Sequence, residues 1–530
     1  MSSATRARGP RRRRDEATTS DKMSTPGARP AIPASAPGAR QGLATRIFRL
    51  NGSACAWHRV RSGRLAMSRA RPILLLACLV LAGAGCSDAR DDSGARTVEF
   101  WAMGREGELV KQLVPEFERR NLGIRVRVQQ IPWSAAHEKL ITALVGGTMP
   151  DAFQLGSTWV AELVALRALE PLDRPDDDRS TAARLGGDPS LDAAHGDGGA
   201  ARDAVRADGG TPPDVTDGGV FPGIAAANVV DGTVFGVPWY VDTRLLFVRS
   251  DILEASGCTQ PLRTWDAWLA CMTRVHDGGR DRFAILLPLT EWETPVILAL
   301  QRGATLLRDD DGRGDFQGSA FRTAFETYVG LFARGLAPRG GEAQASSLYQ
   351  GFGEGLFSFV LTGPWNLAQF AARLPADLAG KWTTMPLPAP DDHYPGVSLA
   401  GGASLAVWRG SHVKHEARRW TAFLAEPEQQ AALYRASGAL PARRSAWRAL
   451  GLDTAPGTRA FWVQLGNVRP PPRVPEWERI ATLIGRRAEG VIRGEDTVDA
   501  ALAALDEEAD RILEKRRWLR TQHDTRDGTR

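Results

Sequence analysis

Read for the spacing of its apolar positions, the chain has a polar start, one continuous apolar run and a long body in which element types alternate. From Thr97 the order is strand, helix, strand, helix: TVEFWAM, then Leu109 to Arg119, then IRVRVQQI with period-2 alternation, then Ala135 to Val145. A further apolar run, AFQL, follows Pro150-Asp151. Repeated strand–helix units predict the α/β class, a mostly parallel sheet covered by helices, with ligand chemistry at the carboxyl ends of its strands.

Residues 172–219 break that rhythm with Asp, Gly, Ala and Pro, 11 acidic against 5 basic residues, and read as a solvated, disordered insert. Structure resumes at Val220. TVFGVPWYV and RLLFVRSDIL read as a strand pair leading into a helix, and SAFRTAFETYVGLFARG as a helix starting at Ser319. Its Phe321, Phe325, Tyr328 and Phe332 recur at i, i+4, i+7 and i+11, the stripe of a core-facing helix rather than a cofactor box. SLAGGASLAVW turns β-like again, Val474 to Trp518 reads as two amphipathic helices, and 519–530 as a frayed polar tail.

Charge changes the picture of the start. The whole chain is at +5, but residues 1–66 hold 14 Lys+Arg and 3 Asp+Glu, net +11, so the remainder is at 5 − 11 = −6. The basic signal belongs to a disordered N-terminal stretch, and nucleic acid is not expected as a partner. At Met67 the composition becomes that of an export signal: Arg69 and Arg71, an apolar Ile73 to Leu81, then Ala82-Gly83-Ala84-Gly85-Cys86. Translation starting at Met67 explains this most simply; the alternative is a basic arm removed with the signal. Residues 67–85 resemble a bacterial lipoprotein signal, which would make Cys86 the lipidated first residue, although Gly83 stands where the box carries a larger apolar residue. Cleavage after Ala82-Gly83-Ala84 is the competing reading. Both place the product outside the cytoplasmic membrane, in the periplasm or at the cell surface. There, Cys258 and Cys271 are candidates for a disulfide, with two free thiols as the alternative.

The chemistry of catalysis leaves no signature. GxSxG, P-loop, HExxH and a strand-to-helix GxGxxG are all missing, and no cofactor or metal is expected. Gly351, Gly353 and Gly355 in GFGEG read as a turn. His137-Glu138 lacks a second His for zinc. Asp309-Asp310-Asp311-Gly312 lacks the alternate ligands and distal Glu of a calcium loop, and reads as a hydrated hairpin turn.

Aromatic residues point to binding. There are 16 Trp against 5 Tyr, and Trp101, Trp159, Trp239, Trp292 and Trp365 stand where strands run into loops. A sugar ring offers a flat C–H face edged by hydroxyls, which an aromatic plane and a few charged groups can grip.

EFWAMGREGELVKQLVPEFER, IRVRVQQIPWSAAHEKL, MPDAFQLGSTWVAEL, GVPWYVDTRLLFVRSDIL, LTGPWNLAQF and SLAGGASLAV together resemble the family 1 extracellular solute-binding proteins of bacterial ABC importers, over residues 96–518. The resemblance implies a two-lobe periplasmic-binding-protein fold with hinge crossovers and a ligand cleft between the lobes. One lobe would take 96–243 plus 402–440, the other 247–398 plus 441–518. Position by position it puts Trp101, Arg105, Glu106, Thr158 and Trp159 at the cleft from the first lobe, and Tyr240, Asp242 and Arg244 at the first crossover. Trp292, Trp365 and Trp477 would add stacking planes from the second lobe, Gly401 and Gly402 would let backbone approach the ligand, and Arg443 is a further candidate. Asp242 should recognise hydroxyls, since a carboxylate accepts two strong hydrogen bonds. The implied protein is a monomer that captures a mono- or oligosaccharide and hands it to the transmembrane subunits of an ABC permease; it is not an enzyme. The alternatives are an exported polysaccharide-active enzyme, the same fold with a polyamine ligand, and a receptor feeding a sensor.

Overall fold

The computed structural model describes residues 94–172, 219–279, 283–340 and 348–527, all within a compact unit that begins at Ala89. The acidic insert from 173 to 218, the export signal and Cys86 lie outside the described residues.

Two sheets organise the chain. The first contains β1 (Arg96–Met103), β2 (Ile124–Ile131), β3 (Ala152–Gly156), β4 (Val237–Asp242), β9 (Gly401–Val407) and β10 (Leu440–Pro441), in the spatial order β10-β4-β9-β3-β1-β2. The second contains β5 (Leu245–Val248), β6 (Ile285–Leu286), β7 (Phe359–Thr362) and β8 (Thr383–Met385), in the order β8-β5-β7-β6. β1 pairs in parallel with β2 and β3, as its period-2 pattern and the intervening helices require, and turns Val98, Phe100 and Ala102 into a dry core. The chain leaves the first sheet at Asp242 and enters the second at Leu245, returns between β8 and β9, and leaves again after β10. These crossings make a two-lobe α/β architecture with a cleft where the sheets face each other.

Phe321, Phe325, Tyr328 and Phe332 are all buried along the Ser319–Ala333 helix, each worth about 1.5–3 kcal/mol of burial. The helix starts at Ser319 as expected, with Gly318 as its N-cap and no side chain capping it. Cys258 and Cys271 are bridged, with Cα atoms 5.5 Å apart. Asp309, Asp310 and Asp311 turn a hairpin between Leu307–Arg308 and Arg313–Gly314, all three at positive φ.

Four elements differ from the sequence expectation. The Leu109 to Arg119 helix is two, Glu106–Val110 and Val114–Arg120, because Pro115 lacks the N–H that would continue the ladder. GFGEG is not a turn: it lies in the Leu348–Glu354 helix, where a Cβ at Gly351 would stand 2.7 Å from the Phe357 ring, and Gly355 ends the helix at φ +73°. The C-terminus holds three helices, Trp477–Arg493, Val498–Ile512 and Glu514–Asp527. The last takes in most of the expected frayed tail, because Arg517 and Arg520 donate to the carbonyls of Gly312 and Asp310 and clasp the hairpin.

Candidate functional site

Two adjoining cavities open between the sheets. One, of about 490 Å³, is lined by Arg105, Glu106, Trp133, Tyr240, Trp365 and the Ser437-Gly438-Ala439 corner, among others. The other, of about 240 Å³, is lined by Thr158, Trp159, Arg244, Trp292, Glu293 and Glu478, among others. Gly156, Asp242 and Gly402 line both, so Asp242 stands at the junction of one continuous cleft.

The junction follows from strand geometry. Asp242 is the last residue of β4 and Arg244 comes two positions later, so both side chains leave the same face of the chain as it crosses between lobes. Gly402, on the neighbouring strand, has φ +122°, and a Cβ there would stand 2.2 Å from the Tyr240 carbonyl oxygen. Its glycine is therefore needed first for the fit of β9 against β4. Gly363 serves Trp365 similarly: a Cβ would meet that indole at 1.9 Å, so the ring folds back over its own turn and remains 49% exposed in the cleft.

Arg244 is the electrostatic centre. Its guanidinium donates to Glu293 at 2.9 Å, reaches Asp242 at 3.4 Å and lies 4.4 Å from the Trp365 ring centroid, while its Nε is buried with no hydrogen-bond partner. Burial disfavours its charge, but Asp242 and Glu293 outweigh that and hold it above its ordinary range. Burial raises the Asp242 carboxyl, with Arg244 opposing and Glu293 adding to the rise. Glu291 is pushed up to about 7, by burial first and by Glu293 and Asp242 against the pull of Arg244. Glu106 and Glu478 are also raised by burial, opposed by hydrogen bonds from Trp133 and Thr158 respectively. Tyr240 is held well above its usual range, chiefly by burial, and its hydroxyl accepts from Gln154 at 3.1 Å, so it stays a neutral hydrogen-bonding group. The cleft thus offers four carboxylates and two guanidiniums, polar groups edged by the faces of Trp133, Trp159, Trp292 and Trp365.

Arg105, Glu106, Thr158, Trp159, Tyr240, Asp242, Arg244, Trp292, Trp365, Gly401 and Gly402 all line the cleft. Trp101, Trp477 and Arg443 do not. Trp101 stands on the face of β1 turned from the dry core, under Lys139, whose ammonium is 4.9 Å from its ring. Trp477 is 1% exposed and packs edge-on against Trp292 at 5.5 Å, so it buttresses a cleft residue from the second core. Arg443 is buried behind the Pro427–Ser437 helix: its N–H donates to Gln430 at 2.8 Å, and desolvation lowers its pKa.

Sequence reasoning missed Trp133, Glu293 and Glu478. The two glutamates sit in TEWET and EWER, each touching a Trp already singled out, and that adjacency was the available signal. Trp133, in QQIPWS, starts a helix directly after a strand and so shares the strand-exit placement of the others.

The family model described as bacterial extracellular solute-binding protein matches residues 112–451. Among solved structures, the sugar-binding protein MalE from the phytopathogen Xanthomonas citri is 40% identical, with a TM-score of 0.69 over 80% of this chain and 99% of that one. The GacH receptor of Streptomyces glaucescens, solved unliganded and with acarbose, is 18% identical with a TM-score of 0.62 over 79% of this chain and 99% of that one, a likeness of fold. The diacetylchitobiose binding protein DasA of Streptomyces coelicolor is 23% identical over 81% of this chain and 96% of its own length.

Proposed function

The chain belongs to the bacterial extracellular solute-binding proteins, a family of binding proteins rather than enzymes, and from that premise we propose that it captures a mono- or oligosaccharide in the inter-lobe cleft for delivery to an ABC permease. The observation that carries the reading is the junction itself: Asp242 between two cavities, with Trp365 exposed above one and Trp159 and Trp292 on the other. In it a carboxylate accepts hydrogen bonds from vicinal hydroxyls while indole faces cover the C–H surfaces of the rings.

Capture needs no bond-making. Sugar hydroxyls donate to the carboxylates of Asp242, Glu106 and Glu478, and Arg244 donates to ring or hydroxyl oxygens from its buried Nε, which has no hydrogen-bond partner in the protein. Closure of the lobes about the crossings then traps the solute, and the permease distinguishes the closed form from the open one. Anchoring through a lipid on Cys86 would keep the protein beside its permease. The carboxylate excess in the cleft favours a second reading, a polyamine ligand, since Arg244 is already neutralised by Asp242 and Glu293.

The test is a thermal-shift screen of the full chain against mono-, di- and trisaccharides and polyamines. A ligand present at about 100 times its Kd stabilises the folded form by about 2.7 kcal/mol. A shift with one sugar and no turnover on long incubation supports saccharide capture. A shift with polyamines alone supports the second reading, and slow consumption of an oligosaccharide overturns the binding role.

A further inference from the structure

His137 takes no part in the cleft lining, yet it is packed against that lining from behind. It lies one helical turn after Trp133 in the Trp133–Gly146 helix, so both point from the same face. Trp159 is gripped between them, its ring edge-on to Trp133 at 5.8 Å and to His137 at 5.1 Å. Glu162, from the Val160–Ala165 helix, fixes the imidazole, with its Oε2 2.6 Å from His137 Nε2.

Across the cleft stands Glu478, the second residue of the Trp477–Arg493 helix, whose backbone is anchored by the buried Trp477. Glu478 lines the same cavity as Thr158 and Trp159 of the first lobe, and its charge adds to the rise of the His137 pKa. The charged groups facing His137 are Glu162 from its own lobe and Glu478 from the other. Trp159 and Trp133 contribute only neutral rings.

We infer that His137 is a positioning residue for the cleft: held by Glu162, it sets the plane of Trp159 and, when protonated, draws Glu478 of the opposite lobe onto Thr158, so that closure is tightest in its charged form. This rests on the saccharide reading for its effect on affinity, though not for its geometry. The sign follows from the partners. Glu162 first, then Glu478, raises the His137 pKa against the opposing effect of burial, so the inter-lobe attraction is complete at low neutral pH and fades as pH rises through that raised value. At the acid end it fades again, as Glu478 takes up a proton at a pH above the ordinary glutamate value.

Two measurements on the full chain test it. The first is calorimetric binding of maltose from pH 5 to 9, for wild type, His137→Gln and His137→Phe, the last keeping a ring against Trp159. The wild-type affinity should fall from pH 6 to pH 8.5 by about threefold more than that of either variant, a difference sized to a half-exposed charge pair. Matching pH profiles for wild type and His137→Gln would overturn the inference. The second is an NMR titration of the imidazoles, with the His137 signal assigned by its loss in His137→Gln. Glu162→Gln and Glu478→Gln should each lower the His137 midpoint, and an unmoved midpoint in Glu478→Gln would overturn the inference even if maltose does not bind. Absence of maltose binding alongside a lowered midpoint would count against maltose as the solute and uphold the inter-lobe contact.

Discussion

Two acidic clusters, nearly equal in composition, have opposite fates in this protein. In the hairpin, Asp309 pairs with Arg308 and Arg313 at the surface, and Arg517 and Arg520 from the C-terminal helix take the turn carbonyls. In the cleft, Asp242, Glu293 and the nearby Glu291 share a single arginine, Arg244, in a setting dry enough to raise Glu291 to about 7. The hairpin acids serve a turn in which positive φ is tolerated by Asp and Asn. The cleft acids are left under-neutralised, and groups so placed are ready to exchange water for a ligand. Burial and the number of cations in reach separate the two clusters; counting acidic residues does not.

The strongest attack on that contrast is Arg244→Ala. With its side chain only 12% exposed, removing it leaves Asp242 and Glu293 facing each other without a cation, at a cost of about 3–5 kcal/mol in urea unfolding, and sugar affinity should collapse with it. Next comes Asp242→Asn, which relieves repulsion and so should leave unfolding nearly unchanged while weakening saccharide binding at least about tenfold by calorimetry. Trp365→Ala should behave similarly, with a loss of about tenfold and a melting temperature within a degree or two of wild type, because the ring is half exposed.

A smaller effect is expected from protons. A glutamate raised from 4.5 to about 7 contributes stability that is complete below pH 4.5 and lost as pH rises through 7. Glu291→Gln should therefore flatten the stability profile between those limits by about 1–2 kcal/mol, discounted from the full shift because the group is half-buried. Smallest of all, Asp311→Asn in the hairpin should move stability by less than about 0.5 kcal/mol, and added calcium should not raise the melting temperature. A calcium-dependent rise would break the comparison outright, by making the hairpin a site.

The α/β architecture was legible because β1, β2 and the Phe321–Phe332 stripe each carry an unambiguous period. The cleft was legible mainly through resemblance, with three of the five strand-exit tryptophans, Trp159, Trp292 and Trp365, as independent support, while Trp101 lies off the cleft and Trp239 is buried in a core. What stayed hidden was tertiary in cause. Trp477 and Trp365 are the same residue in similar local contexts, WER and PWN, yet one fills a core and the other faces solvent. Only the packing of the Trp477–Arg493 helix on the second core decides that. Gly351 read as part of a turn because local propensity is a weak guide wherever a neighbour, here the Phe357 ring, dictates close approach. Arg443 carries a charge that sequence alone places at the surface, and the structure buries it.

Asp242, Thr243 and Arg244 are consecutive, the first ending a strand of one sheet and the last standing just before a strand of the other. In the closure proposed above, a group on the axle hardly moves as the arms swing, whereas Trp365 and Glu478 travel with their lobes. An arriving solute therefore meets the tripeptide at any angle of opening and meets the outlying walls only afterwards. The rate of arrival is then governed by the axle and the time of residence by the walls, and substitutions at the two places should separate kinetically.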